Sequence, residues 1–209
     1  MEDERMAQRG RPKKFDKETA LNAAMKLFWE RGFEQTSVDE VATAMGIQTS
    51  SLYCCFGDKE SLFLQAAEHY RLVNGSTYDD AVNAGKTAKD GFANLFKRAA
   101  SEMTRDDQPR GCMLCLALPT CSPKYDKLQE EVSQLRDFSE AVWIKRLETA
   151  IRAKEIPRST NIQALVLFFR NTMFGMSLQA KSGASQEDLQ QIGKLALRVW
   201  PEPRPAKAS

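Results

Sequence analysis

The sequence predicts an all-α protein with a helix-turn-helix near its N-terminus. Three observations carry this. Apolar residues recur at helical spacing almost throughout, and no run alternates convincingly with period two. Between Ser37 and Gly57 a short helix, a glycine-containing connection and a second short helix follow one another. The prolines and one glycine fall at or near the joints of longer periodic segments: Pro109, Pro119, Pro123, Pro157 and Gly183.

The elements follow in order. Arg5, Arg9, Arg11, Lys13 and Lys14 form an acid-free basic run up to Phe15. A basic arm on a chain of net charge +2 points to a local polyanion contact; a solvated terminus is the plainer alternative. Asp16 can cap a first helix with Leu21, Ala24, Met25 and Phe28 on one face, and Gly32 can end it with Phe33 packed back as in a Schellman ending. Ser37 with Glu40 three residues on forms a capping box. Val38, Val41, Ala42 and Met45 make its apolar stripe, and Gly46 stops it.

The next stretch, "TSSLYCCFG", is too small and polar for a core helix and uncharged for a solvated one. On a helical wheel Leu52, Cys55 and Phe56 share the inward face, Ser50, Cys54 and Gly57 point away, and Ser51 and Tyr53 flank them. A small, uncharged outward face lets a helix backbone sit deep in a DNA major groove, with hydroxyls reaching phosphates or base edges. A fourth helix opens near Asp58, with Lys59 where free N–H groups favour an anion. Thr36 and Ser37 offer a second such end. Arg11, Lys13, Lys14, Thr36, Ser37, Gln48, Thr49, Ser50, Ser51, Tyr53, Cys54 and Lys59 are therefore the candidate DNA contacts.

Residues 73–91 hold few large apolar residues and three glycines, and read as a loop or weak helix. Helices follow over roughly 90–104, 110–119, 124–153, 160–181 and 185–200. The expected organisation is an arm over 1–15, a DNA-binding unit over 16–60, a regulatory unit over 61–200 and a disordered tail over 201–209.

The stretch from Leu21 to Phe63, "LNAAMKLFWERGFEQTSVDEVATAMGIQTSSLYCCFGDKESLF", resembles the N-terminal domain of the TetR/AcrR family of bacterial transcriptional regulators. Gly32-Phe33, Thr36-Ser37, Val41-Ala42, Gly46-Ile47, Leu52-Tyr53, Phe56 and Lys59 carry the resemblance in order and spacing. It implies three N-terminal helices for DNA, a larger C-terminal ligand-binding and dimerisation domain, a homodimer on a near-palindromic operator, and repression released by a small-molecule effector. Members often carry Ser at position 48 and His at position 55. Gln48 is a poorer cap than Ser, so Thr49 is expected to take that role.

"RGCMLCLALPTC", from Arg110 to Cys121, is similar to a segment of members that respond to electrophiles through cysteine. Pro109 suits a first helical turn, which would place Cys112 in that turn beside Arg110, a setting that favours the thiolate. Cys115 lies one turn on. Both are equally read as small core hydrophobes. Phe96, Trp143 and Phe169 are candidate walls of an effector cavity, or simply core. "GMSLQAKSGAS" resembles the join between the last two helices of many members, which pair across a two-fold axis. Leu165, Phe168, Phe169, Met173 and Met176 on one helix, and Leu189, Ile192, Leu195 and Leu197 on the next, are then candidates for the dimer interface, or intrachain core.

Other classes find little support. One CxxC lacks a second pair and His69 is the sole histidine, so no metal or cofactor is expected. No Ser/His/Asp set, phosphate-cradling glycine loop or paired carboxylates stand out, so no catalytic role is expected. A thiol-redox protein using Cys112 and Cys115 would need a strand before the CxxC in a βαβ setting. A helical protein-binding adaptor remains a further alternative. No apolar run reaches 18 residues, and the N-terminus lacks a signal-peptide core. The five cysteines are expected as free thiols in the cytoplasm.

Overall fold

The computed structural model describes residues 16–117 and 122–202, without the side chains of 137–139. Among the described residues it is helical and contains no strand. The basic arm with Arg11, Lys13 and Lys14, Cys121 and most of the tail lie outside the described residues.

Three helices form a small head. Helix α1 (Lys17–Arg31) starts where the Asp16 carboxylate accepts the N–H groups of Glu18 and Thr19. It buries Ala24, Met25, Phe28 and Trp29, while Leu21 is only half-buried. Gly32 ends it at φ +83°, but the chain leaves extended rather than in a Schellman turn. The Phe33 N–H therefore turns outward to the carbonyl of Ala117, 3.1 Å away, while its ring packs at 5.1 Å on Phe63. Helix α2 (Val38–Met45) opens on the complete Ser37–Glu40 capping box and stops at Gly46, which adopts the left-handed conformation. Helix α3 (Thr49–Phe56) follows after three residues.

Helix α4 (Lys59–Tyr70) joins head to body, packing against α1 on one side. Its Phe63 meets Phe28 edge-on at 5.1 Å. It does not stop where the sequence suggests a loop. A π-helical turn (Arg71–Gly75) carries it into α5 (Ser76–Asn83). The reason is close packing rather than apolar mass. Tyr78 and Val82, four residues apart, are the buried side of α5. A side-chain carbon on Gly91 would stand 2.2 Å from the Val82 carbonyl oxygen. The glycines that look like loop formers thus permit two helices to touch.

Helix α6 (Ala88–Glu102) is the centre of the body, contacting α5, α8 (Asp126–Arg152), α9 (Ile162–Lys181) and α10 (Gln186–Ala196). Phe92, Phe96, Phe169 and Trp200 form one aromatic cluster, with centroid separations from 4.9 to 6.2 Å. Of the two readings of Phe96 and Phe169, cavity wall or core, the structure has them as packed core, because α10 and the chain after it close over them. Gly193 lets α10 approach Phe96 directly.

The helix expected over 110–119 is much shorter. Gly111 adopts φ +87°, and its N–H bonds back to the Met103 carbonyl. Helix α7 (Met113–Leu116) begins only after that turn, so Cys112 stands at its N-cap rather than in its first turn.

Candidate nucleic-acid interface and effector cavity

The head holds α3 by two side chains. Leu52 and Phe56, one turn apart, are its buried residues. Gln48, Ser50, Tyr53, Cys54 and Cys55 are exposed, Tyr53 at 51%; Ser51 is half-buried. Cys55 was expected to face inward and does not, because an eight-residue helix resting on one i,i+4 pair buries only a narrow strip. Gln48 occupies the N-cap without a side-chain cap bond. Thr49 does not take over the capping; its hydroxyl donates across to the Asp39 carboxylate at 2.8 Å, tying α3 to α2.

Two other candidates are engaged within the head. Thr36 is 1% exposed and donates its hydroxyl to the Gly32 carbonyl at 2.8 Å. It fixes the bend between α1 and α2, and its side chain is not available to a phosphate. The Ser37 hydroxyl is committed to the Glu40 capping box. Glu40 also pairs with Arg31 at 2.8 Å, and the Ser37 hydrogen bonds hold its carboxyl below the usual range. Lys59 lies half-buried at the start of α4, its ammonium 4.4 Å from the centroid of the Phe33 ring.

The body contains a cavity of about 90 Å³ bounded by α4, the π-turn, α5, α7, α8 and α9. Of the candidate walls Trp143 lines it, whereas Phe96 and Phe169 do not; the thiol candidates Cys112 and Cys115 line it as well. Tyr70, Tyr78, Arg136 and Arg170 also line it and were not foreseen. Tyr70 and Tyr78 lie in stretches that read as ordinary core or loop. The arginines look like solvated charges until α8 and α9 are packed together.

The thiols form a polar pair in an apolar wall. Cys112 has its thiol pKa lowered by a hydrogen bond from the Cys115 thiol, against the opposing effect of burial, with further help from the Tyr70 hydroxyl. Cys115, the donor, is correspondingly raised, as is Tyr70 by burial first and the cysteine charge second. Arg110 does not contribute as expected: its guanidinium reaches across to the Ala184 carbonyl. The Cys112 N–H bonds to the Ser177 hydroxyl at 2.8 Å, joining α7 to α9.

Arg170 pairs with Glu140 at 2.5 Å between α9 and α8. Arg136 donates to the Leu114 carbonyl at 3.0 Å and lies 5.3 Å from the Phe174 ring centroid. The indole N–H of Trp143 is buried with no partner among the described residues. Such a donor costs about 1–3 kcal/mol while it stays unpaired.

The expected dimer helices divide differently from expectation. Leu165, Phe169, Met173, Met176 and Leu189 are buried within their own chain, and Ile192 is half-buried. Only Phe168 of the expected α9 set is exposed, at 41%, and it is joined by Leu167 and by Leu178 at 58%. Leu195 and Val199 extend the exposed apolar strip beyond α9. The shift arises because α6 and α8 cover one side of α9, so its stripe has an inner and an outer half.

Among the described residues no group of three His, Cys, Asp or Glu could hold a metal, and no helix is long and apolar enough to cross a membrane.

Residues 20–66 match the family described as bacterial regulatory proteins, tetR family. The chain is 33% identical over 195 residues to the HTH-type transcriptional repressor ComR of Escherichia coli K12, covering 93% of each chain. It is 29% identical to the HTH-type transcriptional repressor BdcR of the same organism, covering 86% of each. Among solved structures it resembles a cysteine mutant of the TetR family transcriptional regulator CifR complexed with 26-bp operator DNA. That similarity has a TM-score of 0.87 at 35% identity and covers 91% of this chain and all of that one. With this agreement along nearly its whole length, the chain belongs to the TetR family of bacterial regulatory proteins.

Proposed function

We propose that the protein is a cytoplasmic homodimeric repressor that binds a near-palindromic operator through two copies of its head. The observation that carries this reading is the outer face of α3. It presents Gln48, Ser50, Tyr53 and Cys54 on a helix whose inner side is fixed by Leu52 and Phe56. No charged side chain from α3 obstructs close approach to base edges, and Tyr53 can donate to a phosphate. Lys59 at the start of α4 and the arm residues Arg11, Lys13 and Lys14 supply further phosphate contacts. The head spans 16–60 and the regulatory body 61–200. The exposed strip with Leu167, Phe168, Leu178 and Leu195 is the surface for the second copy.

A mobility-shift assay with DNA from upstream of the protein's own gene tests the core of this. A saturable shift resisting competitor DNA is expected; equal competition by random DNA would refute sequence-specific binding.

Release is assigned to the cavity. A small molecule filling it, or an electrophile adding to Cys112, favours one packing of α7 against α4 over the other, and α4 passes the change to the head. The lowered Cys112 pKa predicts alkylation that is half-maximal below the ordinary thiol value of about 8.5. Iodoacetamide labelling followed by peptide mass analysis across pH checks this. Cys112→Ser and Cys54→Ser variants then separate a switch inside the body from direct blocking of α3. Electrophile-induced release unchanged in both would leave a non-covalent effector.

A further inference from the structure

Two groups on one face of α8 stand out. Arg136 and Trp143 both line the cavity. They are seven residues, two turns, apart, which is roughly 10 Å along the helix axis. The Trp143 indole is a donor only, is buried, and has no partner among the described residues. Arg136 is half-buried, held by the Leu114 carbonyl and the face of Phe174. Its guanidinium has donors beyond the one that carbonyl uses, and no ion pair to it is formed among the described residues.

The charges around the cavity narrow what fits. Among the described lining residues, Arg170 is paired with the carboxylate of Glu140, and Arg136 has no ion pair. A Cys112 thiolate would add one negative charge, and it receives its hydrogen bonds from Cys115 and Tyr70 rather than from a guanidinium. An amine placed beside the Arg136 guanidinium would meet repulsion. A pure hydrocarbon would leave two desolvated donors unanswered. An anion beside a partly desolvated guanidinium gains more than it would in water, and a carboxylate matches the planar fork. Its described wall also includes Tyr78, Met103, Leu114, Leu135, Met173 and Phe174, which suits a flat apolar body.

We propose that this cavity takes a compact aromatic carboxylic acid, its carboxylate on Arg136 and an oxygen at its far end accepting from the Trp143 N–H. As a statement about the effector, it rests on the reading that the cavity controls operator binding. No bond forms or breaks in this recognition.

Calorimetry on the full chain tests the chemistry with four probes: 3-phenylpropionate, 3-phenylpropanol, 3-phenylpropylamine and 3-(4-hydroxyphenyl)propionate. The acid is expected to bind about tenfold or more tighter than the alcohol, the amine not at all, and the hydroxylated acid several-fold tighter than the plain one. Arg136→Gln should bring the acid down to the alcohol's affinity, with Arg136→Lys recovering part, and Trp143→Phe should erase the advantage of the hydroxyl. Circular dichroism checks the variants' fold. Should Arg136→Gln misfold, the order of probes on the parent chain decides alone. Alcohol binding as tightly as acid, or no binding of either acid, overturns the proposal. Operator release is measured separately. Acid binding without release sinks the effector reading and leaves the acid site standing.

Discussion

Head and body differ in what lies beside their aromatic clusters. In the head, α1 and α2 open on capped starts, Asp16 on Glu18 and Thr19 and Ser37 with Glu40, while α3 has no side-chain cap and is tied to α2 by Thr49 on Asp39. Phe28, Phe33 and Phe63 interlock with centroids 5.1 to 6.1 Å apart. The body has comparable aromatic packing around Phe92 and Phe169, but beside it lies a cavity lined by a polar thiol pair and bordered by a π-turn. A buried indole without a partner among the described residues occurs in both, Trp29 in the head and Trp143 in the body. A π-turn leaves a helix one residue out of step and recurs at functional sites. The head is made to hold one shape for DNA. The body keeps polar groups beside a cavity.

The sharpest way to break this contrast is to open the head. Phe63→Ala removes a fully buried ring between Phe28 and Phe33 and should cost about 3–5 kcal/mol. Thermal denaturation should fall accordingly and operator binding should vanish. An unchanged melting temperature would mean the head is not the tightly packed partner. Next comes the outer face of the body. Leu178→Glu should give a folded monomer, because Leu178 is 58% exposed, whereas Phe169→Glu should misfold because Phe169 is buried. Light scattering and circular dichroism separate the two; a dimeric Leu178→Glu protein would move the interface elsewhere.

Smaller changes sharpen the comparison. Ser37→Ala removes the α2 cap and should cost about 1 kcal/mol, read as a shifted denaturant midpoint with unchanged slope. Lys59→Ala should weaken binding to all DNA sequences alike and reduce the salt slope by about one. An unchanged slope would leave the ammonium with its Phe33 ring and away from phosphate. The smallest effect belongs to the body. Trp143→Phe trades lost apolar contact for removal of an unsatisfied donor, and the net change in stability should stay within about 1 kcal/mol. A loss as large as that of Phe63→Ala would show that the indole is core and nothing more.

The helix-turn-helix and the ends of α2 were legible in the sequence because their causes are local. A capping box needs Ser37 and Glu40 three residues apart. A left-handed stop needs Gly46. The α3 stripe needs Leu52 and Phe56 one turn apart. Those relations, and the similarity of the stretch from Leu21 to Phe63 to a DNA-binding family, require no knowledge of what packs on what. What the tertiary structure alone decided is which half of a stripe faces in and which polar groups stay unpaired. Phe168 and Phe169 are neighbours of one type, yet α6 and α10 cover only the second. Thr36 reads as a phosphate ligand until the turn of the chain delivers it to the Gly32 carbonyl. Gly91 reads as a loop until Val82 is laid against it. Arg136 and Trp143 come to line one cavity only when α4, α7 and α9 close the space in front of α8. Periodicity records how often a helix turns toward an apolar environment; the identity of that environment depends on contacts far apart in the chain.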